Sequence, residues 1–207
     1  MIWDLLDEGC ADISDWVDAD YDTAVSEVSP AGQFRFDTNN GAAGNAHATR
    51  TRVITSPPNK FVMEIKTYFD ALGTKVDNDF ASIFYPTSTW SIEAHFVSDG
   101  LFIYKSGGTA TEVGTNIVKC NGSAAWQTWR FEVDKSGGEE SATVEVFLDE
   151  VSQGTFSCNF VTGGIDGRIS YSQYGLTTDD RVSHIDYIKV RKVGTIIAPR
   201  SFGTIIG

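Results

Sequence analysis

Two acidic residues, Glu132 and Asp134, have a spacing that could support glycoside hydrolysis. This reaction needs two carboxyl groups at a controlled separation, with one donating a proton and the other acting as base or nucleophile. The segment from Trp129 to Asp134 alternates apolar and polar residues, and side chains two positions apart on a strand share a face. Glu132 and Asp134 are therefore predicted to face the same way as Arg130. The alternative is that Arg130 and Glu132 form cross-strand charge pairs on a solvated face.

A second polar face, formed by Ser91, Glu93 and His95, could carry out a different reaction. These residues alternate with four apolar residues between positions 90 and 96, which predicts that all three lie on one side of a strand. A histidine or tyrosine base, next to an arginine or glutamine that neutralises a uronate carboxylate, could perform lyase chemistry. The sequence Tyr171-Ser-Gln-Tyr174 offers such partners. The alternative is an ordinary polar strand face, which the acidic charge of the chain favours because a polyanionic substrate would be repelled.

Aromatic side chains outside the core could form a platform for sugars. Sugar CH faces stack on tryptophan and tyrosine because these rings are large, rigid and amphipathic. Most aromatic residues of a β-sandwich belong to the core, so each candidate has a purely structural alternative. The predicted ligand-binding residues are Tyr85, Tyr104, Trp126, Tyr171 and Tyr174.

The elements that would position these residues are short β-strands. Segments 61–69, 80–85, 101–104, 129–134, 142–148, 155–160, 167–171 and 184–190 are rich in β-branched and aromatic residues or alternate in polarity. Turn signals such as Ser98-Asp99-Gly100 separate them, and no long amphipathic helix is evident. This spacing predicts a β-sandwich or barrel. The segment from Asp37 to Ala48, rich in Asn, Gly and Ala, is predicted to be a flexible loop.

Alternation within the strands also predicts which side chains fill the core. A shift of one residue in the strand register would turn each of these faces over. The predicted core residues are Trp90, Ile92, Phe96, Trp129, Phe131, Val133, Val144, Val146, Ile185 and Ile188.

Composition restricts the possible partners. The chain has 207 residues and a formal net charge of −12, which disfavours binding to nucleic acid or to anionic membrane surfaces. No apolar run is long enough to span a membrane. The charge suits neutral glycans or divalent cations instead. Three cysteines, Cys10, Cys120 and Cys158, do not make a disulfide framework, although one bridge is left open.

The opening segment Ile13-Ser-Asp-Trp16 and the strand 184–190 are among four parts of the chain that look like those of one known fold family. On these parts the chain resembles the concanavalin A-like lectin/glucanase superfamily, especially its laminin-G-like and laminarinase-like branches. The resemblance implies an antiparallel two-sheet jelly-roll sandwich whose closing strand pairs near the N-terminal segment. It spans residues 3–191 and is more specific for fold than for function, because this fold carries lectins, hydrolases, lyases and structural modules. The segments that carry it are 13–16 with 32–36, 61–66, 126–134 with 144–149, and 184–190.

The resemblance has further implications for the site. Laminarinase-like enzymes carry a Glu-x-Asp-x-x-Glu pattern, and here Gly137 stands at the third position, so an acid/base partner for Glu132 is missing. The arginine-rich strand of the related lyases is not evident. Many relatives hold a structural Ca²⁺ where the first and last strands meet. Asp186 matches that position, and Asp7 is the predicted N-terminal ligand.

These observations favour a non-enzymatic, lectin-like carbohydrate-binding or assembly module, with a polysaccharide lyase or glycoside hydrolase as the alternative. A purely structural decoration module without a ligand is a third option. Residues 1–193 are predicted to form the sandwich, and residues 194–207 an apolar tail that links copies into a homo-oligomer or larger assembly. The chain begins with Met1 and shows no signal peptide. By analogy with phage virion proteins, we expect a virion or extracellular location after lysis.

Overall fold

The computed structural model describes residues 6–18, 20, 24–38, 46–54, 58–73, 93–105, 109–138, 141–158, 167–175 and 181–193. These residues form fourteen β-strands and contain no α-helix. None of the described segments is a helix long and apolar enough to cross a membrane. The predicted all-β class is confirmed.

The strands are shorter at the N-terminal end of the chain and longer toward its C-terminal end. They are β1 Leu6–Glu8, β2 Val17–Asp18, β3 Val25–Val28, β4 Phe34–Asp37, β5 Ala46–Ile54, β6 Lys60–Phe69, β7 Glu93–Val97, β8 Gly100–Lys105, β9 Thr109–Thr115, β10 Gln127–Asp134, β11 Ala142–Leu148, β12 Val151–Cys158, β13 Gly167–Gly175 and β14 Val182–Lys192.

One layer of the fold is an eight-stranded antiparallel sheet. Its strands follow the order β12-β11-β10-β6-β14-β4-β3, and β1 pairs with β14 at the side of this path. Leu6 lies opposite Val190 and Glu8 lies opposite Ile188. The predicted pairing of the closing strand with the N-terminal segment is therefore confirmed.

The second layer is described as two three-stranded sheets, β13-β5-β2 and β7-β8-β9. Both pack on the same side of the larger sheet. The Phe96 ring of β7 meets the Trp129 ring of β10 edge-on, with 5.0 Å between the ring centroids. The Tyr171 ring of β13 lies 4.6 Å from the Phe36 ring of β4. Two antiparallel layers thus enclose one apolar core, as a β-sandwich requires.

The core follows the predicted alternation. Strand β10 has alternating buried and half-buried side chains along its whole length, which is expected when one face of a strand meets the core and the other meets water. Trp90 and Ile92 lie outside the described residues. The eight remaining predicted core residues are all buried: Phe96, Trp129, Phe131, Val133, Val144, Val146, Ile185 and Ile188.

A β-bulge explains how Ile185 and Ile188 can both face the core although three positions separate them. Ile185 lies opposite Thr67 and Tyr187 lies opposite Lys66, so Asp186 is an extra residue in β14. Such an insertion changes which residues face inward beyond it. Asp186 and Tyr187 consequently both remain half-buried, between the two buried isoleucines.

The predicted orientation of His95 was wrong. His95 was predicted on a solvated face, but its side chain is only 4% exposed. It lies opposite Phe102, also buried, while the other face of β7 contributes Ala94 and Phe96 to the core. Strand β7 is therefore covered on both sides at His95, so the polarity of this residue does not mark a surface.

The predicted flexible loop from Asp37 to Ala48 is shorter than expected. Asp37 is the last residue of β4 and pairs with Val182, whereas Ala48 belongs to β5 and pairs with Gln173. Segments 39–45 and 80–85 lie outside the described residues. The tail, residues 194–207, also lies outside them, so its role in linking copies stays a prediction. Cys10 and Cys120 are buried free thiols.

Candidate functional site

Among the described residues, a large exposed aromatic ring belongs to Trp126, which immediately precedes β10. Trp126 is 37% exposed although it is a large aromatic residue. Its ring centroid lies 5.5 Å from that of Tyr68 on the outer face of β6. The Lys66 ammonium group lies 5.3 Å from the centre of the Trp126 ring, within the range of a cation–π contact. Trp126 is thus held from two sides while part of its surface faces water.

Neighbouring polar groups on the same face are already ordered. Lys66 Nζ donates a hydrogen bond to Asp186 Oδ2 at 2.7 Å. The Tyr187 hydroxyl donates to Glu64 Oε1 at 2.8 Å. Burial, and then the hydrogen bond to Glu64, raise the pKa of Tyr187 to about 12, so this hydroxyl keeps its proton at neutral pH.

His184 extends the cluster on the far side of Tyr68. The two ring centroids are 6.1 Å apart in an edge-on arrangement, and His184 Nε2 lies 3.6 Å from Asp70 Oδ2. Burial lowers the pKa of His184, and the nearby Asp70 carboxylate opposes this shift only in part. We call Tyr68, Trp126, His184 and Tyr187, together with Lys66, the aromatic patch.

The loop that presents Trp126 is held by Asn121. The Leu72 amide donates to Asn121 Oδ1 at 2.9 Å, and Asn121 Nδ2 donates to the Leu72 carbonyl at 2.8 Å. Both residues 121 and 122 have positive φ angles, and Gly122 adopts such a conformation without strain. Asn121-Gly-Ser123 matches a glycosylation motif, but its amide nitrogen is already bound to backbone, and an attached sugar would disrupt this pair.

The patch has the properties of a stacking surface with a polar rim. A sugar ring placed on Trp126 would bury its CH face against indole, while its hydroxyls could exchange hydrogen bonds with Lys66, Asp186 or Glu64. Side chains that are already fixed by neighbours lose little conformational entropy when a ligand binds. The arrangement is therefore suited to binding.

The structure separates the five predicted ligand-binding residues. Trp126 lies on the surface as predicted. The prediction for Tyr171 was wrong, because its ring is 1% exposed and its hydroxyl donates to Ser183 Oγ at 2.8 Å between the layers. Tyr85 and the side chains of Tyr104 and Tyr174 lie outside the described residues, so their roles stay predictions.

The sequence analysis missed Tyr68, Lys66 and Tyr187. Alternation in β6 could have identified the first two, because positions 60, 62, 64, 66 and 68 all share the face opposite to the core. Tyr187 could not be found in this way. The bulge at Asp186 places it on the outside, whereas strict alternation from Ile185 would have placed it inside.

The opposite end of the same sheet face carries the carboxylates considered for hydrolysis. Glu132 and Asp134 line a groove of about 270 Å³ together with Lys60 and Glu145. Asp134 Oδ2 lies 2.7 Å from Lys60 Nζ, and Glu132 Oε1 lies 3.5 Å from Arg130 Nε. The sequence predicted cross-strand charge pairs for Arg130 and Glu132, whereas the contact between them lies within one strand. Hydrogen bonds from Lys60 and Ser136 lower the pKa of Asp134 to about 2, which is the opposite of what a general acid needs.

Three of the residues considered for lyase chemistry are buried, whereas Ser91 and the side chains of Glu93 and Tyr174 lie outside the described residues. His95, Tyr171 and Gln173 have exposed fractions of 4%, 1% and 1%. Burial raises the pKa of the Tyr171 hydroxyl, so it is a poor base. A substrate could not reach these groups without opening the sandwich.

Strand β5 carries two arginines, Arg50 and Arg52. Both serve the junction between the layers. Arg50 Nε donates to Ser26 Oγ at 2.7 Å, and an Arg50 guanidinium nitrogen lies 3.0 Å from Asp18 Oδ2. Arg52 is paired with Glu8 at 2.8 Å. Their partners are residues of the protein itself, and these pairs connect β5 to the edge of the larger sheet.

The two predicted metal ligands lie near the junction of the first and last strands. Asp7 Oδ1 is 3.6 Å from Lys189 Nζ, and Asp186 is held by Lys66. No group of three or more His, Cys, Asp or Glu side chains in the described part of the chain is arranged to hold a metal ion. These side chains alone do not fit the six to eight oxygens of Ca²⁺. The calcium site stays a prediction, which a chelator-dependent melting temperature would support.

Comparison with known proteins identifies the fold. No protein-family model and no curated protein matches the chain. Among solved structures, the cellulose induced protein Cip1 aligns with a TM-score of 0.63 and 12% identity over 90% of this chain and 96% of its own. An endo-β-1,4-glucuronan lyase from the fungus Trichoderma reesei aligns at 0.53 and 9%, over 92% and 91%. A Lotus tetragonolobus seed lectin aligns at 0.55 and 8%, over 87% and 94%. The fold of the chain is concanavalin A-like.

Proposed function

We propose that the chain is a non-enzymatic carbohydrate-binding module and that its aromatic patch holds the sugar. The observation that carries the proposal is the exposed Trp126 ring, supported by Tyr68 and Lys66. The fold gives weaker support, because structures that share it include a seed lectin and a glucuronan lyase. Fold alone does not assign function, so the surface chemistry decides between them.

Trp126 is more than a side chain left outside the core. Its loop is fixed to Leu72 through the Asn121 amide, and the ring itself lies against Tyr68 and Lys66. Keeping an indole partly in water forgoes the free energy of burying it. A ligand that covers the ring would recover this free energy, and a sugar provides the matching apolar face.

The enzymatic alternative has less support. The carboxylate groove contains Asp134, whose pKa is lowered by Lys60, and the lyase candidates His95, Tyr171 and Gln173 are buried. A catalytic site needs a base or acid that meets the substrate in the correct protonation state. The described residues of these two constellations do not meet this requirement.

The test is a binding panel with neutral β-glucans, xylan and mannan, together with alginate and glucuronan, followed by a reducing-end assay on each. We expect retention by at least one polysaccharide and no release of ends. Trp126→Ala should weaken binding by about 1–3 kcal/mol, the scale of burying one large apolar side chain. Val17→Ala is the matched control, since Val17 is 65% exposed on β2 in the other layer. Absence of binding across the panel, or equal loss in both variants, would contradict the proposal.

The proposal includes assembly through residues 194–207, which rests on the sequence alone. Five apolar residues lie among glycines in this segment, a pattern suited to adding a strand at a sheet edge of another copy. Removing residues 194–207 should leave the sandwich folded and convert an oligomer into monomers in analytical ultracentrifugation. The predicted virion location would be tested by finding the chain in purified particles.

A further inference from the structure

We infer that Asp186 makes the aromatic patch selective for neutral over acidic glycans, an inference that rests on the proposed function. Lys66 is the cation that contacts Trp126, at 5.3 Å from its ring centre. A uronate or sialate stacked on Trp126 would place its carboxylate within reach of this ammonium group. Asp186 already forms an ion pair with Lys66, with 2.7 Å between Oδ2 and Nζ.

An acidic sugar would have to displace Asp186 from Lys66. Both side chains of the pair are about one-third exposed, at 33% and 35%, so neither is shielded from a ligand. A displaced Asp186 carboxylate would remain beside the incoming carboxylate, and the repulsion would offset the new contact with Lys66. A neutral sugar needs no such displacement, since its hydroxyls can bond to the ion pair as it stands.

Nearby cations on the same sheet face cannot replace Lys66. Lys189 is paired with Asp7, and Arg130 with Glu132 and Glu150. Arg35, beside His184, is paired with Glu27 and Asp37. The chain as a whole carries a net charge of −12, which adds a long-range repulsion against polyanions.

The bulge in β14 builds this carboxylate into the patch. Asp186 is the residue without a partner position in β6, between Ile185 opposite Thr67 and Tyr187 opposite Lys66. The insertion therefore places the carboxylate next to Lys66, where a regular strand would offer only Tyr187 as its neighbour. Bulges commonly redirect one side chain in this way.

The test uses matched polysaccharides that differ in charge: hydroxyethylcellulose against carboxymethylcellulose, and methyl-esterified against de-esterified homogalacturonan. We expect the unmodified protein to bind the neutral member of a pair at least about fivefold more tightly. Asp186→Asn frees Lys66 and should narrow this ratio by about fivefold to tenfold, the size expected for one exposed charge contact. The gain should appear as tighter binding of the acidic member.

Asp134→Asn is the control, because it removes the same charge and frees Lys60 in the carboxylate groove instead. The ratio of its affinities for the neutral and the acidic polysaccharide should equal that of the unmodified protein. Asp186→Glu, which keeps the charge, should keep the preference for neutral chains even if Asp186→Asn folds poorly. Tighter binding of the acidic member by the unmodified protein, or equal ratios for Asp186→Asn and Asp134→Asn, would overturn this inference alone. Failure to bind any polysaccharide of the wider panel would overturn it together with the proposed function.

Discussion

The outer face of the eight-stranded sheet has two ends, and the same strands, β6 and β10, build both. At one end Tyr68 and Lys66 support an exposed Trp126. At the other end Lys60, Glu132 and Asp134 line a polar groove. At the first end part of an apolar ring faces water, whereas at the second end Glu132 and Asp134 are each paired with a cation.

This difference shows why carboxylates alone were a poor guide to the site. Glu132 and Asp134 have the spacing of a catalytic pair, yet each has a cation of the protein within 3.5 Å. A neighbouring cation favours the charged form of a carboxyl group, and a carboxylate has no proton to donate as a general acid. The part of a surface ring that faces water is covered by no group of the protein, and it is therefore the better indicator of a ligand.

The largest expected effect comes from detaching the Trp126 loop. Asn121→Ala removes two hydrogen bonds to the Leu72 backbone and leaves both backbone groups without this partner, which should cost about 1–3 kcal/mol of unfolding free energy. Binding should fall at the same time, because the ring is no longer held beside Tyr68. Chemical denaturation and polysaccharide retention would measure the two effects.

Asn59→Ala is the control for this change at the carboxylate end, where Asn59 is exposed. It should alter neither stability nor binding appreciably. If Asn121→Ala left binding intact while lowering stability, the loop would have a structural role only and the aromatic patch would not depend on it.

A smaller effect is expected where like charges meet. Glu132 and Glu145 lie directly opposite each other on β10 and β11, and like charges at such positions are destabilising. Glu145→Gln should raise the unfolding free energy by about 0.2–1 kcal/mol, since glutamine can still accept the hydrogen bond from Ser152. Thermal melts at low and high salt would show the gain shrinking as salt screens the repulsion.

Binding should be unchanged in Glu145→Gln, because the groove lies at the other end of the sheet face. A loss of glycan binding in this variant would place the ligand in the groove and remove the distinction between the two ends.

The smallest expected effect is a pH dependence from His184. Burial lowers its pKa below the ordinary value of 6.5, so the folded protein binds fewer protons than the unfolded chain at mildly acidic pH. Stability is therefore fully present above pH 6.5 and falls as the pH drops through the lower folded value. Melting curves of the unmodified protein should show a steeper loss below pH 6.5 than those of His184→Gln. Identical slopes would show that the imidazole does not contribute.

The sequence was sufficient for the strands with one wet and one dry face. Alternation identified β11 with its bounds and the buried face of β10, because period-two patterns arise directly from such burial. It failed for His95, since β7 is covered on both sides and polarity no longer reports orientation. It also failed for Tyr171, because the sequence does not show which face of β13 meets Phe36. The aromatic patch joins residues from three separate segments, and their proximity depends on strand order rather than on local sequence.

The extra residue at position 186 also changes whether odd-numbered or even-numbered residues of β14 face the core. From Val182 to Ile185 the odd-numbered residues point into the sandwich, whereas from Ile188 to Val190 the even-numbered residues do. Because Asp186 is the extra residue, its loss would leave Tyr187 alone between Ile185 and Ile188 and restore a regular alternation, so that Ser183, Ile185, Ile188 and Val190 could all stay in the core. The core therefore does not require a residue at position 186, and the side chain that the bulge adds serves the outer face of the sheet.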